Sequence, residues 1–293
     1  MTVKTQESLA EEFEEHRSHL RGVAYRMLGS MTEAEDAVQD AWLRLSRTDT
    51  SDVENLRGWL TTVVSRLCLD MLRSRKSRRE ESLEVHVPDP VVTRLELDPE
   101  AAAEQADAVT LALLVVLDAL NPRERMAFVL HDMFGVPFHQ IGEIVGSSTQ
   151  AATQMASRAR RRVRDTPPPT ADLATQRKVL EAFTSAAQDG NFEALLTVLD
   201  PDVALRADGG ARGQSGFIRG AAEVAAAASS FRRTGHEPDQ VWVLVNGAVG
   251  LLGLRDGRPV SVFSPLIRDG RIVQINILTD PDRLAELDLS EVL

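Results

Sequence analysis

Hydrophobic and polar positions recur at helical spacing through most of residues 1–165. In TEAEDAVQDAWLRL (32–45), apolar residues return every three to four positions, which predicts an amphipathic helix. Thr32 followed by Glu35 predicts a capping box at its start. The opposite face of the predicted helix carries Asp36, Gln39, Asp40 and Leu43. An exposed leucine among carboxylates is either a stray surface residue or the centre of a docking patch for a basic partner.

A second long helix is predicted over NLRGWLTTVVSRLCLDMLRSRKSRR (55–79), and its carboxyl end is basic. Residues 73–79 hold five positive charges and no acid. These charges suit the helix dipole, but they exceed what capping needs, so phosphate binding is a rival explanation. Trp59, near the start of the helix, is either a core residue or a platform on which an unstacked base could lie.

A helix-turn-helix is predicted farther along the chain. PFHQIGEIVG (137–146) ends in glycine, and a Gly-Ser turn leads into a last helix that finishes in SRARRRVR (157–164). Small apolar residues form one stripe of this last helix. Amide and hydroxyl groups suit base edges and arginines suit phosphates, so the opposite face favours DNA binding over a merely solvated helix. The candidate residues for DNA binding are Ser148, Gln150, Thr153, Gln154, Ser157, Arg158, Arg161 and Arg164.

The pattern changes after the proline run DTPPPTAD (165–172). Two helical stretches are followed by the β-like segments QVWVLV (240–245), PVSVFSPLI (259–267) and RIVQINIL (271–278), with NG and DG turns between segments. This order predicts an α+β domain. Earlier in the chain, three prolines interrupt ESLEVHVPDPVVTRLELDPE, which predicts an extended linker between two helical modules.

Composition limits the class of protein. Apolar residues make up 43% of the chain and charged residues 26%, as in ordinary globular proteins. The single cysteine excludes an internal disulfide framework, and no apolar run reaches the length of a membrane span. We therefore expect a soluble cytoplasmic protein. The net charge of −11 argues mildly against nucleic-acid binding, but residues 80–118 alone hold ten acids against one arginine.

Two ordered motifs resemble bacterial extracytoplasmic-function sigma factors of RNA polymerase. HLRGVAYRMLGSMTEAEDAVQDAWLRL and the following NLRGWL segment are similar to their region 2, and ALNPRERMAFVLHDMFGVPFHQIGEIVG with ASRARRRVR is similar to their region 4. The tail, with DGNFEALLTVLDPDVALRADGG and DPDRLAEL, resembles the SnoaL-like (NTF2-like) domain fused to one subgroup of these factors. HVPDPVVT is similar to the proline-bearing linker motif of that subgroup.

The resemblance implies two all-α modules followed by an α+β, NTF2-like cone. It places region 2 at 8–80, an acidic linker at 81–106, region 4 at 107–165, a proline-rich linker at 166–171 and the SnoaL-like domain at 172–293.

The resemblance also implies roles for the residues. The face around Leu43 would dock on the clamp helices of the largest subunit of core RNA polymerase, and the last helix would read the −35 element of promoter DNA. The SnoaL-like domain would contact the sigma modules through an interdomain linker at Pro88, Asp89 and Pro90 and regulate them. Candidates for holding the melted −10 element are Asn55, Trp59, Arg66, Arg73, Arg75 and Lys76.

We therefore expect an alternative sigma factor that is not an enzyme and that needs no metal or cofactor, and a small-molecule ligand of the tail stays open. One alternative is a ligand-responsive helix-turn-helix regulator that acts without core polymerase. Another is a pocket enzyme of the SnoaL-like fold with a DNA-binding appendage, for which Asp202, Asp208 and His236 are the candidate residues. Thr153 and Met155 stand where the family often has lysine or arginine, so promoter preference cannot be copied from other members.

Overall fold

The fold is described by a computed structural model that covers residues 6–48, 53, 55–78, 85–95, 109–164, 172–211, 213–231 and 238–293. The chain forms two compact units. The first combines residues 1–81 with 116–166, and the second combines residues 82–115 with 167–293. The segment that joins the two helical modules in sequence is thus part of the C-terminal unit.

The first unit begins with α1 (Gln6–Leu28), α2 (Met31–Leu45) and α3 (Leu56–Arg78). The predicted capping box at Thr32 is wrong, because Ser30 is the N-cap and its hydroxyl accepts the Glu33 backbone N–H. Gly29, with a φ of 70°, ends the preceding helix and leaves Ser30 as the first extended residue. The apolar stripe predicted for α2 is buried, and its small residues allow close packing: Ala34, Ala37, Val38, Ala41 and Leu45.

The second helical module, most of which belongs to the first unit, carries the helix-turn-helix. After α4 (Leu111–Asp118) come α5 (Pro122–Phe128), α6 (Phe138–Val145) and α7 (Thr149–Arg164). The helix predicted over 121–135 does not stay regular, because its last part, Val129–Met133, widens to π-helical hydrogen bonding before Gly135 turns the chain.

The two helical modules pack against each other inside the first unit. Arg125 of α5 is 1% exposed, and its Nε donates to the backbone oxygen of Arg26 in α1 at 3.2 Å. Its Nη1 donates to Asp118 Oδ1 at 3.0 Å. The guanidinium of Arg26 in turn lies 5.2 Å from the centroid of the Phe134 ring. The hydrogen bond from Arg125 and the cation–π contact therefore hold the second module to α1, and the Arg125–Asp118 ion pair fixes the buried guanidinium within its own module.

The second unit is an α+β domain, as predicted. Its helices are α8 (Leu173–Asp189), α9 (Phe192–Val198), α10 (Ala221–Phe231) and α11 (Pro281–Ala285). Its strands are β1 (Val92–Arg94), β2 (Leu199–Asp208), β3 (Gly216–Arg219), β4 (Asp239–Val245), β5 (Ala248–Arg255), β6 (Arg258–Arg268) and β7 (Arg271–Leu278).

The strands form one open sheet in the order β1-β4-β5-β6-β7-β2-β3, in which only the β2–β7 pair is parallel. The predicted NG and DG turns join β4 to β5, β5 to β6 and β6 to β7, with positive φ at both central residues of each turn. Helices α8, α9 and α10 contribute Leu180, Leu195 and Val224 to one core with alternate residues of the sheet. This is the NTF2-like arrangement implied by the resemblance.

The edge strand β1 comes from the segment predicted to be a linker. Val92, Thr93 and Arg94 pair antiparallel with β4. The Asn246 side chain extends the pairing, because its Oδ1 accepts the Val91 N–H at 3.1 Å while its backbone N–H donates to the Val91 oxygen at 2.8 Å. Among the helices described, none has both the length and the apolar character needed to cross a bilayer.

Candidate functional site

The turn between α6 and α7 is tight and depends on glycine. Gly146 ends α6 in the left-handed conformation, with a φ of 67°, and the Ser147 N–H donates to the Gly142 oxygen at 2.8 Å. A Cβ on Gly142 would lie 2.9 Å from the Ser147 oxygen, so the turn passes closer to α6 than any other residue would allow. Ser148 caps α7 by accepting the Ala151 N–H at 3.1 Å. The predicted helix-turn-helix is confirmed.

One face of α7 is buried and the other is open to solvent. Ala152, Ala156 and Ala159 are buried against the module. The hydroxyl of Thr153 donates to the Thr149 backbone oxygen at 3.0 Å. All the helix-turn-helix residues predicted to bind DNA are exposed: Ser148, Gln150, Thr153, Gln154, Ser157, Arg158, Arg161 and Arg164.

Three of the arginines at the end of α7 contact carboxylates of their own module. Arg158 Nε donates to Glu124 Oε1 at 2.6 Å, and Arg162 Nη1 lies 3.7 Å from the second oxygen of the same carboxylate. Arg160 Nε donates to Asp132 Oδ1 at 2.6 Å. Arg158, predicted to bind DNA, is thus engaged by α5.

The docking face predicted on α2 is exposed. Leu43 is 42% exposed, which makes it one of the few large apolar side chains so open to solvent in the part of the chain that the structure describes. Asp36, Gln39 and Asp40 surround it and are exposed as well. Neither carboxylate makes an ion pair with a described residue, so this face presents two unpaired carboxylates around an apolar centre.

A cleft of about 540 Å³ lies between the end of α2 and the start of α3. It brings the half-buried Trp59 and the exposed Arg66, both predicted for −10 binding, next to the docking face. Arg44 and Arg47 also line the cleft, and neither was among the residues predicted from the sequence. Their signal was their position just after Leu43 at the end of α2, where basic residues are easily attributed to the helix dipole. The full lining is Asp40, Leu43, Arg44, Arg47, Thr48, Trp59, Val63 and Arg66.

The other candidates for −10 binding do not line this cleft. Asn55 caps α3 by accepting the Gly58 N–H at 2.9 Å. Arg73 is exposed and lies 3.4 Å from Asp70. Arg75 turns inward, where its Nε donates to Glu33 Oε1 at 3.0 Å and its Nη1 to the Leu28 oxygen at 2.9 Å.

The side chain of Lys76 lies outside the described residues.

In the second unit, the predicted linker motif is clamped by an ion cluster whose centre, Asp208, is buried. Asp208 Oδ2 accepts the Val87 N–H at 2.9 Å and Arg283 Nη1 at 2.8 Å, and it lies 3.3 Å from His86 Nδ1. Arg283 Nε donates to Asp89 Oδ1 at 2.6 Å. Arg283 therefore bridges two carboxylates, one from the domain and one from the linker motif. The flanking prolines are both buried: Pro88 and Pro90.

The surroundings of Asp208 fix its charge. Burial alone would raise the pKa of this carboxyl, but hydrogen bonds from His86 and Val87 and the charge of Arg283 outweigh burial and hold the pKa well below its usual range. A carboxylate with so low a pKa is a poor proton acceptor at neutral pH.

The other two enzyme candidates do not join Asp208. Asp202 is exposed on β2, and His236 lies outside the described residues. No cluster of three or more His, Cys, Asp or Glu residues suited to a metal occurs in the described ranges. Burial raises the pKa of the Cys68 thiol to about 12, so this thiol is not a reactive nucleophile.

Two family models match the helical modules. Sigma-70 region 2 matches residues 13–78, and Sigma-70 region 4 matches residues 110–163. The first range holds the face around Leu43 and the arginine-lined cleft, and the second holds the helix-turn-helix.

Relatives match over nearly the whole chain. The ECF RNA polymerase sigma factor SigJ of Mycobacterium tuberculosis is 38% identical over 297 residues, which cover 96% of this chain and 94% of the relative. A probable ECF RNA polymerase sigma factor SigI of the same species is 37% identical, with 93% of each chain covered. The crystal structure of M. tuberculosis SigJ superposes with a TM-score of 0.75 at 34% identity and covers 96% of this chain and 99% of that one.

Proposed function

Because the chain belongs to the extracytoplasmic-function (ECF) family of RNA polymerase sigma factors and is an alternative sigma factor, we propose which of its surfaces carry out initiation. The α2 face binds core RNA polymerase, the cleft beside it holds the melted −10 element, and α7 reads the −35 element. The second unit regulates these steps through its hold on the linker motif.

The observation that carries the proposal is the composition of the open face of α7. Gln150, Gln154 and Ser157 offer donors and acceptors that match base edges in the major groove. Arg161 and Arg164 follow on the same face, where they would hold the phosphate backbone. The close turn at Gly142 supports this assignment, because it fixes the angle at which the helix leaves the module.

The α2 face is suited to a basic partner with an apolar contact at its centre. Interfaces of this kind take most of their affinity from a few apolar anchors, while the surrounding charges steer association. Leu43 is the anchor and the carboxylates of Asp36 and Asp40 supply the charge. We assign the clamp helices of the largest polymerase subunit as the partner, as the family resemblance implies.

The arginine-lined cleft is suited to an unpaired stretch of DNA. Trp59 offers an aromatic face for a base, and Arg44, Arg47 and Arg66 offer positive charge for the neighbouring phosphates. Because Asp40 and Leu43 belong both to the cleft and to the docking face, polymerase bound at α2 would lie at the rim of the cleft.

The clamp around Asp208 supports a regulatory role for the second unit. It holds the linker motif by backbone bonds at Val87 and by the Arg283–Asp89 ion pair. An acidic linker suits polymerase channels that otherwise take nucleic acid, and a linker held on its own domain is not available to them. The clamp therefore opposes polymerase engagement.

Replacing the apolar anchor tests the docking surface. Leu43→Ala should weaken binding of the full chain to purified core RNA polymerase by about tenfold, measured by fluorescence anisotropy of labelled protein. Phe192→Ala is the matched control, because Phe192 is 39% exposed but lies on α9 of the second unit. Equal affinities of the two variants would contradict the assignment of α2.

The enzyme alternative has less support. Asp208 is its best-placed carboxylate, yet the linker motif and Arg283 occupy that group and keep it ionised. The surfaces around Leu43 and in the cleft have no role in a pocket enzyme. They also have none in a helix-turn-helix regulator that acts without polymerase.

A further inference from the structure

The run SRARRRVR carries five arginines, but the structure gives them two different environments. Arg158, Arg160 and Arg162 each face a carboxylate of the same module. Arg161 and Arg164 are exposed and make no ion pair or hydrogen bond with a described residue. In the absence of DNA, three of the five arginines therefore already have carboxylate partners, and two do not.

Glu124 is placed to neutralise two arginines at once. Its side chain is only 14% exposed, and its two oxygens contact Arg158 and Arg162, which lie one turn apart on α7. The two arginine side chains are 48% and 60% exposed, so solvent screens the charge partly and the low exposure is that of the carboxylate alone. A first-turn carboxylate also suits the N-terminus of α5, but that purpose requires no arginine partner.

Asp132 does the same for Arg160 from the π-helical segment. Its side chain is 24% exposed, and the 2.6 Å contact with Arg160 Nε is that of a charge-assisted hydrogen bond. Both carboxylates come from elements that precede the helix-turn-helix. The three arginines that they contact are partly open to solvent, but each has a carboxylate partner within its own module.

We propose that Glu124 and Asp132 are positioning residues that divide the arginines of α7 into two groups. They pair with three of the five arginines and leave Arg161 and Arg164 as the phosphate contacts of the helix. This inference rests on the proposed reading of the −35 element by α7. It removes Arg158 from the residues expected to bind DNA and assigns it, with Arg160 and Arg162, to packing within the module.

The pairing of three arginines with carboxylates has a consequence for promoter choice. Phosphate contacts add affinity for every sequence, whereas specificity depends on the ratio of promoter to non-promoter binding. Five unpaired arginines behind a short polar reading face would favour binding anywhere on DNA. By neutralising three of them, the two carboxylates limit the sequence-independent part of the affinity.

The salt dependence of DNA binding tests this proposal, because each phosphate contact contributes about 0.9 to the slope of log K against log salt. Full-length protein and a labelled duplex of random sequence are compared by fluorescence anisotropy between about 50 and 200 mM salt. Arg161→Gln should flatten the slope by about 0.9, which reduces the affinity ratio between these two salt concentrations about 3.5-fold. Arg158→Gln should leave the slope unchanged.

Removing the Glu124 carboxylate should change the slope in the opposite direction. Glu124→Gln frees Arg158 and Arg162, so the slope should become steeper by about 0.9 to 1.8 and random-sequence binding should tighten at low salt. A variant that merely loosened α5 would bind more weakly and would not steepen the slope. The effect should vanish when Arg158→Gln and Arg162→Gln are combined with Glu124→Gln.

Glu143→Gln is the matched control for net charge. Glu143 is an exposed carboxylate on α6 of the same module, and no ion pair joins it to a described arginine. Its removal should leave the slope as in the unmodified chain. A Glu124→Gln slope equal to that of Glu143→Gln would overturn the proposal.

Two further results separate this proposal from the proposed function. If Arg158→Gln flattens the slope as much as Arg161→Gln, Arg158 is a phosphate contact too. The proposed division of the arginines is then wrong, although α7 still binds DNA. If neither variant changes the slope, α7 does not hold the duplex and its assignment to the −35 element is wrong. Phenylglyoxal labelling without DNA tests the pairing itself. In the unmodified chain, Arg161 should react faster than Arg158, whereas in Glu124→Gln the two arginines should react at the same rate.

Discussion

At the scale of single residues, His19 of α1 makes the stability of the first unit depend on pH. Arg57 of α3 can only donate, so the 3.0 Å contact between its Nη2 and His19 Nδ1 makes Nδ1 the acceptor. His19 Nε2 therefore carries the proton and donates to the Thr61 hydroxyl at 3.2 Å. The half-buried ring is held between two helices in its neutral form.

Burial, together with the charges of Arg57, His16 and Arg26, lowers the pKa of His19 to about 4. An unfolded histidine titrates near pH 6.5, so between about pH 6.5 and 4 the unfolded chain binds more protons than the folded chain. We expect the melting temperature to fall as the pH decreases through this window. His19→Gln should flatten that part of the profile, whereas His139→Gln, on an exposed α6 histidine, should not. Identical profiles for His19→Gln and the unmodified chain would refute the assignment.

Residue patterns predicted which faces are exposed but not which side chains pair. The α2 face around Leu43 follows from helical periodicity alone, and it lies where the pattern put it. Arg75 and Arg158 look like free cations in the sequence, yet each meets a carboxylate at least 34 positions away. Contacts over that distance depend on how helices pack, and a local pattern carries no information about them.

At the scale of elements, the turn of the helix-turn-helix predicts that a glycine-to-alanine substitution in α6 destabilises the protein. Replacing a helical glycine by alanine normally stabilises a helix by about 1 kcal/mol. In α6, however, the Cβ of Gly142→Ala would lie 2.9 Å from the Ser147 oxygen, so the turn must shift. We expect a loss of about 1–3 kcal/mol in the free energy of unfolding, measured by urea denaturation, with weaker duplex binding.

Gly146→Ala gives the comparison for Gly142→Ala. A Cβ at Gly146 meets no atom within 4 Å, so its cost of about 1 kcal/mol comes only from the positive φ. A stabilised Gly142→Ala variant would show that the close turn is not needed.

The sequence predicted long elements better than short ones. Strands β4, β6 and β7 have alternating or apolar runs bounded by NG and DG turns, and they form where expected. Strand β1 has only three residues, and its partner β4 lies about 150 positions away in the chain. Such a strand has no periodicity of its own, because its partner determines its conformation.

At the scale of the whole molecule, the second unit is built from two separated parts of the chain, and the clamp at Arg283 joins them. Arg283→Gln should release residues 85–95, because it removes the ion pair to Asp89 and one partner of Asp208. Hydrogen exchange should show faster exchange of the Val87 and Val91 amides, and core polymerase should bind more tightly.

Arg271→Gln is the control for release of the linker motif, because Arg271 is exposed at a hairpin turn of the same unit. Unchanged protection of residues 85–95 in Arg283→Gln would show that β1 pairing alone holds the motif.

The sequence located the linker motif but not what holds it. Pro88, Asp89 and Pro90 stand out because prolines interrupt an acidic stretch. Asp208 and Arg283 lie 119 and 194 positions from Asp89, and only the folded domain brings all three together. The ion cluster is therefore a property of the folded unit.

As an alternative sigma factor, this chain should direct core RNA polymerase to particular promoters. The most direct measurement is transcription in vitro on sheared genomic DNA from the source organism, with purified core polymerase and the full chain, followed by mapping of transcript 5′ ends. We expect discrete start sites that depend on the chain, share −35 and −10 sequences, and are lost with Leu43→Ala but not with Phe192→Ala. Start sites that are the same with and without the chain would contradict this expectation.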